Sequence, residues 1–198
     1  MTFESSKTLS AVGSLLIVIG AIAGFVVSFS GILTLIGIIL LLIGLKGLAN
    51  FYKEEGIFNN ALYSIIVAIV GCVVGVGVIV ASAVSALADI GIDWANVEDW
   101  NNIGTDVATV FADFDFSAIA TLLGALVIGL IIFYVVVIIS MIFFRKSMNQ
   151  LSSKSGIGLF GTAGLLMLIG AVIPVIGLLI IWIGAILATV AFFQMKQE

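Results

Sequence analysis

The sequence predicts an all-α integral membrane protein, with six transmembrane helices paired as three hairpins and an acidic amphipathic helix in an extracellular loop. Three observations predict it. Of 198 residues, 63% are hydrophobic and only 9% charged, far from the roughly 25% charged content of a soluble domain. Six long apolar runs follow one another, and a bilayer core about 30 Å thick takes about 20 residues of helix per crossing. All seven basic residues fall on one side of the resulting arrangement and none on the other.

The runs lie near 9–28, 31–49, 60–88, 117–144, 157–173 and 175–193, and none contains Asp or Glu. Backbone groups in lipid must be satisfied within their own segment, so runs of this kind are helices despite their many β-branched residues. The first run, with Lys7 before it and Ala21, Ile22 and Ala23 in it, also has the outline of a cleavable signal. Retention is expected because a similar segment recurs later in the chain. A short turn, Ser28 to Gly31, leads into the second run, which carries Lys46, and residues 50–60 with Lys53, Glu54 and Glu55 form a polar link to the third.

Residues 89–116 form the outer loop. It holds Asp89, Asp93, Glu98, Asp99, Asp106, Asp113 and Asp115 and neither Lys nor Arg. Trp94, Val97, Trp100, Ile103, Val107, Val110 or Phe111, and Phe114 recur there at helical spacing, which reads as an amphipathic helix with one apolar face. Lacking basic residues, it is expected to cap the bundle or meet a partner through Trp94, Trp100, Phe111 and Phe114; a headgroup-level helix and a solvated irregular loop are the alternatives. Arg145, Lys146 and Lys154 follow the fourth run, and Pro174 divides the last two. One long helix over 157–193 is the rival reading there, but it would set Lys154 and Lys196 on opposite sides. With Lys7, Lys46, Lys53, Arg145, Lys146, Lys154 and Lys196 on one side, the positive-inside rule predicts a multi-pass protein of the plasma membrane with both termini cytoplasmic.

Two stretches are similar. LLIVIGA (15–21) matches LLMLIGA (165–171), and LIGIILLLIG (35–44) matches VIGLLIIWIG (175–184). Duplication and chance similarity in a chain rich in Leu, Ile and Gly both fit. If duplicated, both copies enter from the same side, unlike the inverted repeats of many transporters.

The segment KGLANFYKEEGIFNNA, Lys46 to Ala61, follows a glycine-spaced hairpin and precedes a third span. In that setting the chain resembles an archaeal multi-pass integral membrane family known only as a domain of unknown function. The resemblance covers most of the chain and is most specific at Phe51, Tyr52, Lys53, Glu54, Glu55, Gly56, Ile57 and Phe58. It implies an archaeal plasma membrane origin, no assigned activity and no catalytic residues. The acidic outer loop is longer than the family leads one to expect.

Composition removes many functions. A net charge of −4 with seven basic residues provides no surface for a nucleic acid backbone, which is excluded as a partner. Cys72 is the one cysteine and histidine is absent, removing intramolecular disulfides, thiolate clusters and the commonest base and metal ligand. No cofactor is expected. Residues 89–100 lack the ligand spacing of an EF-hand, since Gly91, Ala95 and Trp100 occupy positions that need other residues. Coupled transporters and intramembrane enzymes need ionisable groups at depth, and here depth offers mainly hydroxyls such as Ser64, Thr121, Ser140 and Thr162, read as bonded to their own helices. No enzyme is expected. Ser64, Ala68, Gly71 and Gly75 place small residues on one face of the third span; this face serves either packing within the bundle or an oligomer interface. Gly13 with Gly20, Gly37 with Gly44 and Gly177 with Gly184, each seven apart, keep seams facing a neighbour. The expectation is a non-catalytic membrane module that self-associates or joins a larger complex, with membrane lipid around it. The alternative is a channel or facilitator for a neutral solute or small cation.

Overall fold

The computed structural model describes residues 1–23, 30–89 and 116–196. Among the described residues every regular element is a helix: α1 (Phe3–Ala23), α2 (Ser30–Tyr52), α3 (Glu55–Asp89), α4 (Phe116–Ser155), α5 (Gly158–Val172) and α6 (Gly177–Gln194). Five are long and apolar enough to cross a membrane. The exception is α5, whose 15 residues make about 22 Å of helix against a hydrocarbon core of about 30 Å. The outer-loop expectation, with Trp94, Trp100, Phe111 and Phe114, lies outside the described residues.

Helices α2, α3 and α4 run further than the apolar stretches that announce them. α3 and α4 have 35 and 40 residues, or about 52 and 60 Å, and the polar link expected at 50–60 shrinks to Lys53 and Glu54. Local chemistry explains the sharp join. The Glu54 N–H donates to the Ala49 carbonyl at 2.9 Å and the Lys53 N–H to that of Asn50 at 3.4 Å, while Lys53 takes a φ of 52°. This is a Schellman ending with lysine at the left-handed position that glycine usually fills. Gly156, at φ 70°, turns the chain after α4 in the residue type suited to it. At the start of α1, Thr2 Oγ1 accepts from the Ser5 N–H at 3.3 Å, capping the helix in the usual way.

The chain divides into two compact units, Met1–Ala68 with Val137–Glu198, and Ile69–Val136. In the first, α1 and α2 pack antiparallel, as do α5 and α6, and α1 also packs on α6. Residues 157–193 are thus two helices folded back on each other through a tight turn, with Gly170 and Gly177 in backbone contact. In that turn the Ile176 N–H reaches the Pro174 carbonyl at 2.8 Å around Val175, whose φ is 64°.

Large buried side chains gather at one end of this unit. Leu45, Leu48, Ile57, Met148, Leu151, Phe160, Phe192 and Met195 are fully buried together, Phe160 and Phe192 meet at 4.8 Å between centroids, and Phe3 meets Phe51 at the same distance. All six helices contribute a residue to that core. Toward the other end Val18, Met167 and Ala185 form a smaller buried cluster with Ile181 and Trp182 against it, and the closest helix contacts are at glycines. The division has a physical reason: apolar burial is favourable only where water is the alternative, whereas between helices in lipid close backbone approach does the holding.

In the second unit the remaining halves of α3 and α4 pack antiparallel. Gly71 lies against Val136, and Gly129 faces Ile79 and the carbonyl of Gly75. Most other side chains here, among them Val73, Val76, Val80, Leu123, Val127 and Ile131, are exposed on the outside. The most apolar windows of α3 and α4 are only 17% and 11% buried, against 39% in α1, α2 and α6, so these two helices present hydrocarbon to their surroundings almost all round.

The repeated stretches do not pair in the same register. Gly184 contacts Met167 and the Ala163 carbonyl, whereas its counterpart Gly44 contacts Ser6 and Ser10, about two helical turns from the residues matching Met167 and Ala163. Glycines matched in sequence thus perform the same task against different neighbours.

Candidate functional site

Glycines bring α1 and α2 into backbone contact. A Cβ on Gly13 would lie 2.5 Å from the Leu41 nitrogen and 2.7 Å from the Gly37 carbonyl oxygen, and one on Gly37 would lie 2.7 Å from the Gly13 carbonyl oxygen. Such approach allows dispersion and weak Cα–H···O contacts. Along the same face of α1, Ser6, Ser10 and Ser14 recur every four residues, all buried. The Ser6 hydroxyl donates to the Thr2 carbonyl at 2.9 Å. The Ser10 hydroxyl makes no hydrogen bond and fills the space where a Gly44 Cβ would stand.

Ser14 reaches across to α6, its hydroxyl 2.6 Å from that of Thr189. Because Thr189 donates to the Ala185 carbonyl at 2.9 Å, Ser14 is the donor between them. Trp182 of α6 donates its indole N–H to the Val18 carbonyl at 3.2 Å. Between α3 and α4, Ser140 donates to the Ser64 carbonyl at 2.9 Å and pairs with its hydroxyl at 3.0 Å. Further along, the Ser147 hydroxyl donates to the Ile57 carbonyl and Asn60 donates its amide to Gln150 at 3.1 Å. These bonds sew the helices of the first unit together.

The end holding the large core is also basic. Lys154 pairs with Glu54 at 3.3 Å and Lys7 with Glu4 at 3.4 Å. Lys46 stands 5.7 Å from the Phe58 ring centre and Lys146 5.5 Å from that of Phe143, within the range of cation–π attraction. Arg145 keeps a buried Nε without a hydrogen bond. A cavity of about 550 Å³ opens between the ends of α2, α4 and α6 and the start of α5, lined by Tyr52, Ser153, Lys154, Ser155, Gln194 and Lys196 among others. Among the described residues no carboxylate lines it. A smaller one of about 240 Å³ lies beside Lys46, Asn50, Glu55 and Asn59.

The small-residue face of α3 is placed as follows. Ser64 is buried and bonded to Ser140 in the first unit, where Ala68 is half-buried. In the second unit Gly71 and Gly75 are buried against α4, a Cβ on Gly71 colliding with the Val136 side chain and one on Gly75 lying 3.7 Å from the Gly129 carbonyl oxygen. Four helical hydroxyls were expected to bond their own helices. Thr162 does, through the Gly158 carbonyl, but Ser140 bonds across to Ser64 instead, because each faces the other at a close helix contact where a neighbour's carbonyl is within reach; the Thr121 side chain lies outside the described residues. Sequence reasoning missed Ser6, Ser10, Ser14 and Thr189. The four-residue spacing of the serines is visible in the sequence, but the residues they meet on other helices are 34 to 175 residues away.

The family described as "Protein of unknown function (DUF996)" matches residues 33–192, and the chain belongs to it. It is similar to "Uncharacterized protein MJ1644" of Methanocaldococcus jannaschii, with 24% identity over 200 residues that cover 100% of this chain and 96% of that one. No solved structure matches the chain.

Proposed function

From that membership and the helical architecture, we propose that the chain is a non-catalytic membrane module: three hairpins crossing the plasma membrane, both termini cytoplasmic, acting by association with itself or with a larger membrane complex. The observation that carries this reading is the use of the buried hydroxyls. Ser6, Ser14, Ser64, Ser140, Ser147 and Thr189 are bonded to neighbouring helices or to their own backbone, and Ser10 is pressed onto Gly44. A solute pathway needs such groups facing a hydrated space, and here they face other helices. On the outside of α3 and α4, Gly77 and Gly124 have open space where a side chain would begin, which suits close approach by another helix. The orientation is supported by the grouping of Lys7, Lys46, Lys53, Arg145, Lys146, Lys154 and Lys196 in the first unit and by the positive-inside rule.

Mass measurement of the detergent-solubilised protein from its own membrane tests association. A defined homo-oligomer or a reproducible co-purifying chain is expected. A partner-free monomer that passes ions or neutral solutes in liposomes would overturn the proposal in favour of a channel. Orientation is tested separately with single cysteines on a Cys72→Ala background: a cysteine at Ser153 should resist an impermeant reagent applied to intact cells, and its labelling from outside would reverse the topology.

A further inference from the structure

We infer that the cavity between the ends of α2, α4, α5 and α6 binds a phosphate-bearing anion, and that its source is the headgroup of an anionic lipid in the cytoplasmic leaflet; the choice of leaflet rests on the orientation proposed above. Its volume of about 550 Å³ suits a small ligand or headgroup, since such sites run from about 300 to 1,000 Å³. Lys154 and Lys196 bring two ammonium groups, Tyr52, Ser153, Ser155 and Gln194 bring polar groups, and no carboxylate is among the described residues of the lining. Lys154 is held over this region by Glu54 from outside the lining. The wall also includes Gly156 and Ile157, where α5 begins. Ile157, the N-cap of that helix, makes no side-chain capping bond, and the positive end of a helix dipole adds to the attraction for an anion.

Depth points to lipid as the source. The cavity lies where helices end and charged residues begin, which is headgroup level for a bundle of this kind. α5, at 15 residues, is shorter than the hydrocarbon core, so the bilayer thins beside it and headgroups are drawn toward its start. Phe51 and Ile157 in the same wall offer apolar contact to the glycerol and upper acyl chain. Basic pockets between membrane helices on the cytoplasmic side are a recurrent way of holding anionic headgroups.

The test is native mass spectrometry of the full chain in detergent, titrated in turn with phosphatidylglycerol, phosphatidylcholine and inorganic phosphate. Expected is one tightly held phosphatidylglycerol, at least about tenfold preferred over phosphatidylcholine, a preference lost in K154Q/K196Q. K154R/K196R should keep it, which separates loss of charge from loss of fold. K53Q/K146Q, with the same change in net charge at exposed positions, should keep it within about threefold. Binding of inorganic phosphate abolished by the same K154Q/K196Q change would keep the phosphate chemistry and assign the source to the aqueous phase. Equal retention of both lipids without phosphate binding, or equal losses in the two neutralised pairs, would overturn the inference. Because the titration is done in detergent, its outcome does not depend on which way the protein faces, so the labelling of Ser153 and the lipid titration can fail independently.

Discussion

Replacing Gly13 by alanine should force α1 and α2 apart. Its new Cβ would stand 2.5 Å from the Leu41 nitrogen and 2.7 Å from the Gly37 carbonyl oxygen, both backbone atoms, while ordinary contact begins at 3.4 Å. No rotamer change relieves that, so the helices must separate by about 1 Å, and a gap of that size forfeits about a quarter to a half of each dispersion contact it opens. Overpacking of this kind costs about 1–3 kcal/mol, partly offset by the better helix propensity of alanine, about 0.8–1 kcal/mol. A net loss of up to about 2 kcal/mol follows. Gly77 makes the internal control, because a Cβ there meets nothing within 4 Å and only the propensity gain, up to about 1 kcal/mol, remains. Reversible unfolding in mixed micelles with increasing SDS, followed by helical circular dichroism, reads both. The two substitutions should move stability in opposite directions; equal effects at Gly13 and Gly77 would refute the reasoning from backbone contact.

Other outcomes follow from the same geometry. G71A should destabilise through collision with Val136, and V136A should recover part of the loss when combined with it, giving a coupling of about 0.5–3 kcal/mol in a double-mutant cycle; simple additivity would mean the two do not meet. Val175 holds a β-branched side chain at φ 64° while 82% exposed, so V175G should raise stability by about 1 kcal/mol by releasing strain without losing packing. A fall in the unfolding midpoint would show that the turn is not strained. S14A removes the hydroxyl bonded to Thr189 and should cost about 0.6 kcal/mol, the usual value for such bonds in membranes. A loss above about 3 kcal/mol in the same titration would assign that hydroxyl more than the joining of α1 to α6.

The small-residue positions show where sequence reading reached its limit. Gly13, Gly37, Gly44 and Gly71 stand out by spacing alone, and each proves to be a point of close helix contact. Spacing does not distinguish them from Gly77 and Gly124, which have open surroundings, because periodicity defines a face and not what lies opposite. Ser140 was legible as a membrane hydroxyl but not as the partner of Ser64, 76 residues away. The basic cavity combines residues from Phe51 to Lys196. Its sequence trace is only a lysine near each helix end, which the dipole and the membrane surface already favour.

What the sequence by itself determined is the class of protein and the helices. Long uncharged runs leave the backbone one way to satisfy its hydrogen bonds in lipid, so composition and length suffice, and the short sequence from Lys46 to Ala61 was enough to suggest the family. The exact ends needed local geometry: Lys53 closes α2 in a conformation that sequence would assign to glycine, so the link is two residues where polarity suggested eleven. Only the tertiary structure decided that the helix after Gly156 has just 15 residues, and which hydroxyls and lysines meet. Those outcomes depend on register between helices, which is set by turns and by atom-scale contact at glycines, and a hydrophobic pattern that repeats all round a helix carries no information about register.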